Sequence, residues 1–224
     1  IVLDAMINLE KAKKEGVLRE KNEIISELKR SGFEYNEKFN SNYATTHLSM
    51  ATLLYGNYIL NEKSKRYKNR NDFFPSLMLN EENDFYNILK KVNANFFWIG
   101  NEWGQCIPTF IIKCINKKSS LFILKTAPLY KDNILSYFFE YYLNKYNINA
   151  YDFLLNQKKY KALKSYKKNN FYLIHAMKPH PPFDLNKNCK KIKPILDLSN
   201  REYYSFNYNC VLKVTLKWIE NNLN

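Results

Sequence analysis

The chain has 224 residues, 46% hydrophobic and 16% aromatic, which is enough apolar side chain for a folded core and excludes a disordered tail. Thirty-five basic residues against 21 acidic ones leave a formal charge of +14, so the surface attracts anions: nucleic acid, acidic headgroups or phosphorylated substrates. No apolar run reaches the about 18 residues of a membrane-spanning helix, and no stretch reads as a signal peptide.

Residues 1–4, IVLD, are an apolar run ending in a carboxylate, which predicts a buried parallel strand with Asp4 at its carboxyl end. The abrupt start on a strand without Met predicts a piece cut from a longer chain. Leu18, Ile24, Ile25 and Leu28 fall at helical spacing and predict a helix over 18–28, ended by Ser31-Gly32. Residues 33–43 are polar and read as extended. Residues 46–55 predict a helix with Gly56 as its C-terminal stop, and the charged, Asn-rich stretch 61–80 reads as a loop. Residues 82–92 predict a helix with Phe85, Ile88, Leu89 and Val92 on one face. ANFFWIG, 94–100, predicts a buried strand, followed by the polar loop NEWGQC. A helix rich in Tyr and Phe is expected over 133–146. NFYLIHAM, 170–177, predicts a strand, KPHPPF a loop, and 201–223 a long helix with a stripe of Tyr204, Tyr208, Val211, Leu212, Leu216 and Ile219.

Strands alternating with helices predict one α/β domain over 1–224, a mainly parallel central sheet with helices on both faces. In such sheets the site lies at the carboxyl ends of the strands, where Asp4, NEWGQC and KPHPPF fall. The four cysteines, Cys106, Cys114, Cys189 and Cys210, include no C-x-x-C pair, so a zinc ribbon is not expected. Cys106 and Cys114 are candidates for a bridge in an oxidising compartment, or for small buried hydrophobes. The lysines come in scattered pairs with no recognition motif, so no specific nucleic-acid surface is expected.

Chemistry concentrates in three places. Thr45-Thr46 precede an apolar helix, which is ordinary N-cap placement. The same position lies in positive potential beside unpaired N–H groups that favour phosphate or sulfate, and a metal-bound Thr46 hydroxyl would be an alkoxide nucleophile. Asp4 is the candidate to hold that metal, although one carboxylate is not a site, because hard divalent ions need several ligands. In HAMKPHPPF, His175 sits in an apolar run and reads as a core histidine, while His180 lies between prolines, placed to contact an ester oxygen or protonate a leaving group. Lys178 and Asn101 are further candidate substrate contacts.

These segments, in this order, resemble the sulfatase-like branch of the alkaline phosphatase superfamily. IVLDAM is similar to its first strand ending in Asp. THLSMATLLYG has the eleven-residue frame of the Cys-x-Pro-Ser-Arg nucleophile helix, with Thr46 on the nucleophile, Ser49 on the motif serine and Gly56 on the final glycine. Pro179-His180-Pro181-Pro182 resembles the Pro-His-x-Pro that contacts substrate, and the helix from Arg201 resembles the one leading to an Asp-His-Gly metal strand. The resemblance implies an alkaline phosphatase-like fold and a metal-dependent phosphoester hydrolase or transferase, with Thr46 as nucleophile and metal ligand, Asp4 as metal ligand and His180 as substrate contact. It further implies a divalent cation, an anionic ester substrate such as a lipid or glycan headgroup, and an extracytoplasmic place, with any membrane attachment through segments beyond this chain.

The departures are specific. Thr46 cannot become the formylglycine of sulfatases, which points to the phosphoryl-transferring members; Met50 replaces the motif arginine, and Ala5 stands where a second Asp is common. No Asp-His pair occurs in the 224 residues, so the expectation is a C-terminally truncated domain, inactive by itself. A true sulfuric ester hydrolase and a non-catalytic polyanion-binding module are the alternatives.

Overall fold

The computed structural model describes residues 1–18, 20–56, 58, 83–100, 112–115, 150–156 and 169–223. The 61–80 stretch, the NEWGQC loop with Asn101 and Cys106, and the 133–146 helix lie outside the described residues.

Four strands, β1 (Val2–Leu3), β2 (Ala94–Ile99), β3 (Ile112–Ile115) and β4 (Asn169–Ala176), form a parallel sheet in the order β1-β4-β2-β3. All six residues of β2 are buried, as a strand covered on both faces requires. Its one polar member, Asn95, accounts for an amide by donating to Asn170 Oδ1 of β4 at 3.1 Å.

Alternation along the strands separates two apolar layers. Phe97, Ile99, Ile174 and Ala176 pack against α5 (Ala150–Leu155) and against Val211, Trp218 and Ile219 of α6 (Arg201–Leu223). Phe96, Trp98, Leu173 and Val2 pack against Met50 and Leu54 of α3 (Thr46–Tyr55) and against Leu89 and Phe85 of α4 (Asp84–Lys91). Helices therefore cover both faces, as the sequence predicts, in a mixed α/β arrangement with a small parallel sheet. A third cluster joins α1 (Leu9–Lys14) and α2 (Lys21–Arg30) to Tyr208, Leu212 and Leu216 on another side of α6.

Local chemistry sets the ends. Asn83 caps α4 by accepting from Tyr86 N at 3.1 Å, while its Nδ2 donates to Leu54 O at 2.9 Å, which ties the end of α3 to the start of α4. Gly56 closes α3 in the left-handed region (φ 73°) with its N–H on Thr52 O. Gly100 ends β2 at φ 79°, where an added Cβ would overlap the Cβ and backbone N of Ala150; only glycine lets α5 approach the strand end this closely.

Several expectations are corrected. The α2 helix begins at Lys21, with Leu18 packing ahead of it, and β1 is only two residues long. Residues 33–43 form no strand and are broken by a turn at 37–38, where Asn36 Oδ1 accepts from Lys38 N at 2.9 Å in an Asx-type turn. Ile88 and Val92 are 57% and 47% exposed, so the buried face of α4 is narrower than the stripe predicts. After β4 the chain makes an antiparallel hairpin, β5 (Phe183–Leu185) and β6 (Lys191–Ile195), that the sequence did not reveal. A disulfide, Cys189–Cys210, pins this hairpin to α6, while Cys106 of the Cys106–Cys114 candidate bridge lies outside the described residues.

Candidate functional site

The site is built where β1 ends. Leu3 pairs with Ala176, and the Asp4 N–H donates to Ala176 O at 2.8 Å, which fixes the Asp4 backbone to the carboxyl end of β4. Asp4 is buried at 8% exposure, not the solvated strand-end carboxylate that a two-residue strand suggests. Its Oδ1 accepts a hydrogen bond from Thr46 Oγ1 at 2.8 Å, across 42 residues of sequence. Its Oδ2 is buried and has no hydrogen-bond partner among the described residues. An unpartnered buried carboxylate oxygen is costly, so the position asks for a cation or donor.

Thr46 is the first residue of α3, and the N-cap is Thr45, whose side chain makes no capping bond. The capping role expected of Thr46 is not observed, because Thr45 holds the N-cap position. The Thr46 hydroxyl serves Asp4 and not the helix end. Ser49, the motif serine, donates to Tyr43 O at 2.8 Å and so braces the segment that enters the helix.

The turn after Asp4 is held from the opposite side. Ala5 has φ 56°, a left-handed conformation that costs a non-glycine residue about 1–2 kcal/mol. The Tyr204 hydroxyl donates to Ala5 O at 3.0 Å and the Tyr208 hydroxyl to Ile7 O at 3.0 Å, both reaching from α6. Burial raises the pKa of both phenols, so they stay protonated donors.

His175 pairs in register with Val2, which sets it on the face of the sheet that carries Val2 and Asp4. It is 1% exposed, and neither ring nitrogen has a hydrogen-bond partner among the described residues. Burial lowers its pKa, while the nearby Asp4 charge opposes that shift. The sequence reading of a core histidine holds for its burial, but it missed the proximity to Asp4. The signal was the period: Val2 and Asp4 share a face, and His175, paired with Val2, falls on that face next to Asp4.

His180 lies in the loop between β4 and β5, four residues past Ala176, at the same end of the sheet as Asp4. It is half-buried, and its Nδ1–H donates to Pro181 O. Lys178 is paired with Asp184 and donates to Pro182 O at 3.2 Å, so its ammonium stabilises its own loop. Asp4 and Thr46 are thus in direct contact, His180 shares their end of the sheet, Lys178 is engaged within its own loop, and Asn101 lies outside the described residues.

The donor chemistry fits part of a divalent-cation site. A carboxylate oxygen without a partner and a hydroxyl 2.8 Å from the same carboxylate are hard oxygen ligands. Two ligands are fewer than such an ion takes, and no group of three or more His, Cys, Asp or Glu suited to a metal occurs among the described residues. No family model, curated protein or solved structure matches this chain.

Proposed function

We propose that this chain is part of a metal-dependent phosphoester hydrolase or phosphotransferase of the sulfatase-like, alkaline phosphatase type. The observation that carries the reading is the Thr46–Asp4 hydrogen bond at the carboxyl edge of a parallel sheet, with the second Asp4 oxygen buried and unpartnered. Asp4 and Thr46 would hold one side of a divalent cation; when bound, the ion supplies charge stabilisation and lowers the hydroxyl pKa.

The chain's own residues divide the remaining work. Thr46 Oγ attacks phosphorus as its proton passes to Asp4 Oδ1, and the bond from phosphorus to the ester oxygen breaks. His180, whose Nδ1–H is engaged by Pro181 O, is a substrate contact, and the departing alkoxide takes its proton from water. A phosphothreonine remains, which water hydrolyses or an acceptor alcohol resolves. The threonine, which no formylglycine chemistry can modify, favours phosphate over sulfate esters. The +14 charge suits an anionic substrate, a lipid or glycan headgroup among them. The Cys189–Cys210 disulfide supports an oxidising, extracytoplasmic compartment.

The test is paired turnover of an aryl phosphate and an aryl sulfate by the native protein, with any flanking sequence its coding region carries, in Zn, Mn, Mg or Ca. Phosphate turnover that disappears in Thr46→Ala supports the reading. Sulfate turnover alone replaces it with a sulfuric ester hydrolase. Salt-sensitive binding of polyanions with no turnover and no metal effect replaces it with a non-catalytic binding module.

A further inference from the structure

We propose that the β5–β6 hairpin and the segment that follows it dock this protein on an anionic lipid bilayer. Residues 186–199, NKNCKKIKPILDLS, hold four lysines and one acidic residue. Lys191 is bound to Asp152 at 3.0 Å, which leaves Lys187, Lys190 and Lys193 exposed. The one acid, Asp197, is exposed between the leucines, its Oδ1 accepting from the Ser199 N–H at 2.9 Å and hydroxyl at 2.6 Å, so the segment keeps a net positive charge.

At the other end of the hairpin from Lys187 and Lys190, just past Lys193 on β6, stand two leucines that nothing among the described residues covers. Leu196 and Leu198 are 75% and 76% exposed, the largest values among the exposed large hydrophobic residues described. Lysine and proline on an edge strand such as β6 serve by themselves to discourage strand pairing, so Lys193 and Pro194 need no ligand to explain them. The leucines have no such explanation. A hairpin with exposed lysines at its turn and on its edge strand and exposed leucines past its other end has the chemistry of a membrane interface: lying along the surface, its cations meet lipid phosphates while the leucines enter the acyl boundary.

The platform is rigid enough to present them. Asn186 Oδ1 accepts from Asn188 N and Lys190 N at 3.0 and 3.1 Å, and the Cys189–Cys210 disulfide fastens the turn to α6. The hairpin also leaves directly from the loop that carries His180, so docking would hold that loop beside the lipid surface. The surface is complete without any chemistry at Thr46, and its test reads no turnover.

The experiment is cosedimentation of the protein with phosphatidylcholine vesicles containing no, moderate or high phosphatidylglycerol, at low and physiological salt. Binding should require the anionic lipid and weaken with salt. The triple variant Lys187→Ala/Lys190→Ala/Lys193→Ala should bind about 100-fold more weakly. Leu196→Ser/Leu198→Ser should lose at least about tenfold while keeping its charge. All five side chains are exposed, and an unchanged far-UV spectrum will show that each variant folds. Wild-type affinity in either variant overturns the proposal, as does binding to a homopolymeric RNA as tight as to the vesicles and indifferent to the leucine change.

Discussion

The two sides of α6 contrast with the edge of the sheet that α3 covers. Toward α6, the layer of Phe97, Ile99, Ile174 and Ala176 meets Val211, Trp218 and Ile219 in a largely apolar interface, fastened to the β5–β6 hairpin by a disulfide. At the β1 edge, the strand is two residues long, Ala5 is left-handed, and Asp4 and His175 bury polar atoms with no partner among the described residues. The first region buries mainly apolar side chains and uncharged polar ones. The second holds a strained residue and two buried titratable groups, a combination found at functional sites. The tyrosines of α6 connect them, because the packed helix supplies the hydroxyls that fix the strained turn.

The contrast is broken most strongly on the packed side. Gly100→Ala adds a Cβ against Ala150 at a φ alanine resists, and should cost about 2–4 kcal/mol in denaturant melts. A variant of wild-type stability would mean that α5 is free to move away from β2. Reducing Cys189–Cys210, or replacing both cysteines by serine, should cost about 3 kcal/mol for a closed loop of this length, with the denaturant midpoint as readout.

Alkali should act through the same layer. Burial, aided by Asp184 and Asp152, pushes the Tyr151 phenol up to about 12, and burial raises Tyr204 and Tyr208 as well. Unfolded phenols ionise near about 10, so the unfolded chain releases protons first. Stability is therefore fully present below about pH 10 and declines as pH rises from there through the folded values, which phenolate absorbance and ellipticity should register together.

The edge region gives smaller effects. Tyr208→Phe removes the bond to Ile7 O and should cost about 1 kcal/mol. Thr45→Ala should cost only a few tenths, about 0.3 kcal/mol, because the Thr45 side chain makes no capping bond. A full cap-sized loss at Thr45 would show that its hydroxyl does bind the helix end.

Where one residue's surroundings were decisive, the sequence was legible. The apolar run of β2, broken only by Asn95, the glycine stop of α3 and the long stripe of α6 each carry a strong local signal, and each element falls where its pattern predicts. The short α1 helix is rich in lysine, and KIKPI interrupts its alternation with proline, so neither α1 nor β6 has a period long enough to read. Cys189 and Cys210 meet only because the hairpin folds back on α6, a tertiary fact that spacing does not encode. At the site, the order of motifs brought Asp4 and Thr46 forward. Their contact, and the place of His175 beside them, depended on strand register.

The central claim is that the hydroxyl held by Asp4 is a nucleophile. The most direct measurement is to incubate the native protein with an activated phosphate ester and divalent cation, quench in acid and map phosphorylated peptides by mass spectrometry. The account predicts a phosphoryl group on Thr46, absent from Thr46→Ala together with turnover. Turnover that persists in Thr46→Ala, or that proceeds with no phosphoryl group ever found on Thr46, would contradict it.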